Sequence, residues 1–186
     1  IKYAHSDNSM SFTTNAGERL RIHSSGEVSI PAGVTLGLQA DDKTASNTLD
    51  DYEEGTFTPT FQYNSNTANV ALTTQQGQYT KIGNTVWVQL RIVASNTGSG
   101  GQNAIIGGLP FTPSVSNVDH TMLSMHNTDG VNLEGTEFEI FAQIQSGNIV
   151  LYKYDVGGNS GGTYALLDDS NFDTDATFNI QGFYFT

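Results

Sequence analysis

The sequence predicts an all-β protein, a short intertwined β stem followed by a jelly-roll-like antiparallel β-sandwich knob. Apolar residues recur at every second position along most of the chain, clusters of Gly, Asn and Ser break the runs into short segments, and no stretch carries the wider spacing of a helical stripe. Thr, Asn and Ser supply 54 of the 186 residues, and only 14% are charged against a typical ~25%, so hydroxyls and amides hydrate the surface.

The first 38 residues contain short alternating apolar pairs: Met10 and Phe12, Leu20 and Ile22, Val28 and Ile30, then Val34, Leu36 and Leu38. Asn15-Ala16-Gly17, Ser24-Ser25-Gly26 and Pro31-Ala32-Gly33 supply turns between them. Hairpins this small bury too little to stand alone, and a symmetry copy of the same segment is the simplest cover for their apolar side. Residues 39–55 carry six acids and one Lys, little hydrophobicity, and room for a helical turn; they read as a solvated linker.

Residues 56–186 form the knob. Phe57, Pro59, Phe61 and Tyr63 share one face of a strand; Val86, Val88, Leu90 and Ile92 mark a second, Phe138, Ile140, Ala142 and Ile144 a third, and Phe178, Ile180, Gly182 and Tyr184 a fourth. Shorter strands are expected near 69–74, 78–82, 103–106, 120–126, 149–154 and 163–167. Polar loops are expected at 96–101, 127–130 and 157–162. Between Gly55 and Asn117 there is no acid, and only Lys81 and Arg91 are charged. Such a stretch suits burial against neighbouring copies, since like charges facing across a symmetric interface repel, and equally suits a strand-rich core.

The net charge of -12, from 7 Lys and Arg against 19 Asp and Glu, disfavours binding to nucleic acid or to an anionic membrane. The absence of Cys excludes a disulfide frame, a thiolate nucleophile and a Cys zinc site. No apolar run approaches the ~20 residues of a membrane-spanning helix, so membrane insertion is not expected. Starting on Ile1, the chain reads as a processed product or a C-terminal fragment, and no Asn is followed by the Ser or Thr of a glycosylation acceptor.

GERLRIHSSGEVSIPAG, residues 17–33, is similar to a stem segment that recurs in phage tail-fibre and tail-tip proteins, notably those of marine and cyanobacterial viruses. LDDYEEGTFTPTF (49–61), GQYTKIGNTVWVQLRI (77–92) and GLPF (108–111), in that order, are similar to the start of their C-terminal knob. The resemblance implies a homotrimer in the virion, at a tail fibre or tail tip, joined to upstream tail or baseplate proteins and facing a host-surface glycan or outer-membrane receptor. Its expected interface is Met10, Phe12, Leu20, Ile22, Val28, Ile30, Val34, Leu36 and Trp87. Neither a self-cleaving C-terminal chaperone segment nor a repeated His-x-His tip motif is present in this sequence.

Catalytic chemistry finds little footing, so no enzyme activity, cofactor or metal is expected. There is no Gly-x-Ser-x-Gly elbow, and His5, His23, His120 and His126 are scattered. Asp169, Asn171, Asp173 and Asp175 alternate as in a calcium loop, but Thr174 stands where that loop needs Gly and Ile180 where it needs Glu; an irregular site near 168–175 stays open. Glu137 and Glu139 lie one strand repeat apart, ~6.8 Å, a spacing glycosidases share with any amphipathic strand.

Sugar recognition needs ring faces and amides, and the loops supply the expected receptor-binding residues Asn96, Gln102, Asn103, His126, Asn127, Asp129, Asn159 and Tyr164. Trp87 points away from Val86 and Val88, as an interface anchor or a ligand platform, with the interface favoured. Two rival readings are a monomeric carbohydrate-binding domain of a secreted or cell-surface protein and, less favoured, an envelope polysaccharide hydrolase.

Overall fold

The computed structural model describes residues 1–35, 48–49, 51–63, 70–98, 103–114, 121–133, 137–155 and 162–186, with backbone alone for 48, 127–128 and 137–138. The described residues are all-β and antiparallel, with one 3-10 turn at Asp169–Asn171, and divide into two units, Ile1–Tyr52 and Glu53–Thr186. No described helix is long and apolar enough to cross a membrane.

In the first unit, β1 (Lys2–Ala4), β2 (Ser9–Thr14), β3 (Gly17–Ile22) and β4 (Val28–Ser29) form a sheet in chain order. Asn15 and Ala16 both take positive φ, 50° and 58°, in the two-residue connection whose twist matches the flanking strands. β1 is an addition to the expected strands: Lys2-Tyr3-Ala4 has too little alternation to announce itself, but pairs Tyr3 with Met10. The range read as a linker is also partly strand. β5 (Val34–Thr35) pairs with β6 (Thr48–Leu49), and Tyr52–Phe57 forms β7. Leu36 and the expected helical turn lie outside the described residues.

The second unit is one sheet curled on itself. Its remaining strands are β8 (Thr60–Tyr63), β9 (Ala71–Ile82), β10 (Thr85–Asn96), β11 (Ala104–Gly107), β12 (Met122–Val131), β13 (Glu137–Gln145), β14 (Asn148–Asp155), β15 (Thr163–Leu166) and β16 (Phe172–Phe185). The order is β7-β9-β10-β16-β12-β13-β14-β11-β8, with β15 added to β14. Val86, Val88, Leu90 and Ile92 of β10 and Phe178, Ile180 and Tyr184 of β16 are buried with Phe61, Tyr63, Ala104, Ile106, Ala142, Ile144, Ile149 and Leu151 of the other half. Phe61 of β8 stacks on Phe178 of β16 at 5.0 Å, so the two halves meet ring on ring and close the sandwich.

β12 turns the corner between the halves, as strands that switch sheets do. It pairs with β13 through Met122 and Leu123, then with β16 from Ser124 to Val131. The expected loop at 127–130 is therefore corrected: these residues are a bulged stretch of strand, with register shifts on either side of Asp129. Gly130 has φ +70°, and a Cβ there would lie 1.8 Å from the Asp175 carbonyl oxygen, so the glycine that reads as a turn signal instead admits a neighbouring backbone.

Residues 53–59, 75–81 and 108–111 come together at a second corner. Phe57 lies against Gly77, where a Cβ would meet its ring at 2.5 Å, and Tyr79 lies against Gly55 in the same way while its hydroxyl donates to Glu53 at 2.5 Å. For this reason the two strands expected near 69–74 and 78–82 are the single strand β9: Gly77 receives a ring and breaks nothing. Pro59 takes the chain from β7 to β8, and its carbonyl accepts from Gln75 Nε2 at 2.8 Å. Gly108, at φ +78°, lets the Gly-Leu-Pro-Phe segment lie against the Thr58 carbonyl. The Tyr184 hydroxyl donates to the Phe111 carbonyl at 3.1 Å, while Tyr79 packs edge-on and Lys81 sits over the Phe111 ring.

Candidate functional site

Two surfaces leave apolar side chains open. In the first unit, the registers Tyr3↔Met10↔Ile22↔Val28 and Phe12↔Leu20 align the expected interface residues on one face of the four-stranded sheet. Their exposure runs from 37% at Phe12 to 54% at Val28, with Leu20 half-buried; Ile30 and Val34 are exposed beyond the sheet. The opposite register, Lys2↔Ser11↔Arg21↔Ser29, is polar.

Arg21 organises this polar side. Its Nη1 donates to Asp7 Oδ2 at 3.0 Å and Ser9 Oγ at 2.8 Å, while Nε and Nη2 grip both oxygens of Glu18 at 2.9 and 2.6 Å. Hydrogen bonding from Ser9, followed by the Arg21 charge, holds the Asp7 carboxyl below its ordinary value; hydrogen bonding from Arg21 does the same to Glu18. Ser9 and Ser11 are buried beneath this network. The Glu and Arg of the Gly-Glu-Arg-Leu-Arg-Ile segment thus finish the polar face, and its Leu20 and Ile22 face the other way.

The second open surface is the outer side of β9, β10, β16 and β12. Three rows cross it: Thr80–Trp87–Phe183, Gln78–Gln89–Gln181–Ser124, and Gln76–Arg91–Asn179–His126. Trp87 is 54% exposed and its ring tilts against Phe183 at 5.1 Å. Met122, 60% exposed, joins these rings in lining a groove of about 900 Å³, with Glu54 and Thr56 on one wall and Gln78, Gln89 and Gln181 along its floor. A second groove of about 680 Å³ adjoins it, sharing Gln78 and Gln89 and continuing to Arg91, Asn179 and His126. Rings, amides and one guanidinium are the groups that stack on sugar rings and hydrogen-bond hydroxyls and carboxylates.

The expected receptor-binding residues do not converge. His126 lies in the second groove. Asn96 ends β10 and accepts from the Gly98 amide at 2.9 Å, while buried Thr97 donates to the Asp173 carbonyl at 2.6 Å, so this loop start is pinned to β16. Asn103 bridges to Asp168. Asp129 accepts from the Gly130 amide at 3.0 Å on the bulge. Tyr164 belongs to the other half of the sandwich, edge-on to Phe141, which itself stacks on Tyr152 at 5.1 Å. Gln102, Asn159 and the side chain of Asn127 lie outside the described residues. Sequence reasoning placed Trp87 on the second face of its strand, but missed Arg91, four residues along that strand on the same face, and Phe183, Met122 and Gln181, which reach it through pairing between distant strands.

In the segment left open for calcium, Asp168 and Asp173 are engaged in hydrogen bonds within the fold. Asp168 caps the Asp169–Asn171 turn, accepting from Ser170 N at 2.9 Å and Oγ at 2.6 Å, and Asp173 accepts from Asn132 Nδ2 at 2.6 Å. Among the described residues, no group of three His, Asp or Glu comes together as a metal site requires. A bulge falls between Glu137 and Glu139, so the regular repeat expected to hold that pair on one face is interrupted. Burial pushes the Tyr63 and Tyr184 hydroxyls up to about 12, and the hydrogen bond to Glu53 raises Tyr79. No family model, curated protein or solved structure matches the chain.

Proposed function

We propose that the chain is the C-terminal stem and knob of a viral tail fibre or tail-tip protein, a homotrimer that attaches the virion to a glycan or other receptor on the host surface. The observation that carries this reading is the first unit's sheet. Its polar side is satisfied by its own Arg21 network, while its apolar side, Tyr3, Met10, Phe12, Ile22 and Val28, is left open by the described residues of that unit. Copies related by a symmetry axis would bury that side against itself, and the tail-fibre resemblance makes the number three. Three chains also multiply a weak receptor contact by avidity.

The knob closes its own apolar core and carries an open groove beside Trp87, which favours a monomeric carbohydrate-binding domain as the second reading. Light scattering separates the two. The trimer is expected at three times the 20.0 kDa of one chain, and the purified protein is expected to adsorb to host cells and compete with virions. A species of 20.0 kDa would favour the second reading.

A further inference from the structure

We infer that the outer face of β10 and β16 is the knob's ligand site, and that its ligand is an acidic oligosaccharide. A sugar ring stacks on Trp87 and Phe183, hydroxyls meet the Gln78–Gln89–Gln181–Ser124 row, and a carboxylate lies at Arg91. The inference rests on the receptor-binding reading but moves recognition from the loops to the sheet.

The two adjoining grooves run the length of this face. Trp87 and Arg91 are four residues apart on one strand, ~14 Å at strand rise, room for a short oligosaccharide lying along β10. Gln78, Gln89 and Gln181 are exposed, and among the described residues their side chains hydrogen-bond to no other residue, so their donors and acceptors face solvent with free valences. Such a row matches the alternating donors and acceptors of sugar hydroxyls, and the tilted ring pair beside it gives an apolar plate for a pyranose C–H face.

Charge selects the ligand. In a chain of net charge -12, most of the surface repels a carboxylate, but no acid occurs between Gly55 and Asn117, the stretch that supplies β9 and β10. Of the two bases in that stretch, Lys81 is buried and lies over Phe111, while Arg91 is exposed on this face, with His126 two strands away in the same row. Glu54 lines the Trp87 end. The polarity of the groove therefore places the ligand's negative group at Arg91 and its neutral ring at Trp87. A second copy of the chain is the weaker occupant, because the centre of a permanent interface is depleted in charge and enriched in apolar area, whereas here amides and a guanidinium outnumber the rings.

The test uses the full chain on an immobilised panel of neutral oligosaccharides and of oligosaccharides bearing uronic or sialic acids, with host-cell adsorption and light scattering on the same preparations. The parent is expected to be retained by acidic members. Arg91→Gln is expected to weaken retention at least ~10-fold, as loss of a charge-assisted contact implies, and Trp87→Ala to weaken it by about as much through loss of the stacking face, with Trp87→Phe recovering part of it. Retention by neutral members alone, retention by none, or retention unchanged in both variants overturns the inference. A change of oligomer size in Trp87→Ala overturns it too, by making this face a contact between copies. Variants that adsorb to cells like the parent while glycan retention is absent keep the receptor-binding reading and sink only this site. A parent that binds acidic glycans but never adsorbs to cells sinks the attachment reading and keeps the site.

Discussion

The four-stranded sheet of the first unit and the curled sheet of the second use the same two-residue alternation in opposite ways. In the knob, alternation turns Val86, Val88, Leu90 and Ile92 inward onto the rings and aliphatic side chains of the facing half, and leaves Trp87, Gln89 and Arg91 outside. In the stem sheet the side that closes is polar, with Ser9 and Ser11 buried under Arg21, and the apolar side is the one left open. A strand's alternation states that it has an apolar face. Whether the same chain covers that face depends on how many further strands the chain can bring. The knob folds ten strands over one another, while the stem's strands are two to six residues long and form a single layer. Such a layer is marginal by itself.

The comparison breaks most sharply in the stem. Leu20→Asp combined with Ile22→Asp would place two carboxylates per chain on the face proposed to pack between copies, at ~3–5 kcal/mol for each uncompensated charge if that face is buried. Light scattering is expected to show dissociation to single chains, with the knob's near-ultraviolet dichroism intact. A trimer that persisted would mean that the knob drives assembly.

Phe178→Ala reverses the experiment. It removes the ring stacked on Phe61 across the sandwich and is expected to cost the knob ~3–5 kcal/mol, a fall of roughly 10–20 °C in its melting temperature. Association through the stem should survive below that temperature. Loss of association in the folded variant would show that the two units do not hold separate roles.

The smallest effect separates the units by pH. Asp7 and Glu18 have lowered values in the folded stem, so their stabilising contribution is present above ordinary carboxylate values and is lost as pH falls through the lowered ones. The knob's sensitivity has the opposite sign. Tyr63 and Tyr184 sit at about 12 against 10.0 for a free tyrosine, so the stability due to their burial is complete below pH 10 and declines as pH rises toward 12. Tyrosine absorbance and dichroism, followed across both ranges, should show acid loosening of the stem sheet without loss of the knob core, and alkaline loss of the core. An acid transition that survives Arg21→Gln unchanged would remove the stem network as its cause.

How much was legible depended on whether a signal was local. The alternation of β10 and β16 is strong because every second residue is large and apolar, and both strands stand where they were expected. The glycines misled. Gly77 and Gly130 have the composition of breaks, yet one accepts the Phe57 ring and the other the Asp175 carbonyl, contacts made by residues 20 and 45 positions away. Glu53 and Glu54 read as linker because charge is visible in sequence and the pairing of β7 with β9 is not. Trp87 was placed on the outer face of its strand by parity alone, but the groove around it was not legible. Its neighbours Phe183, Gln181 and Met122 arrive on strands whose order and register no local pattern records.

The sequence by itself determined that the chain is all-β, which residues of each long strand are apolar, and that the short N-terminal strands have one side to cover, because these follow from a two-residue period fixed by the backbone. Tertiary structure decided the rest: that β12 bridges both halves of the sandwich, that residues 53–59, 75–79 and 108–111 meet at one corner, and that rings, amides and Arg91 line two adjoining grooves on one face. Those facts depend on register between strands far apart in the chain, and register is set by the packing of a whole face against its partners, which no stretch of sequence contains alone.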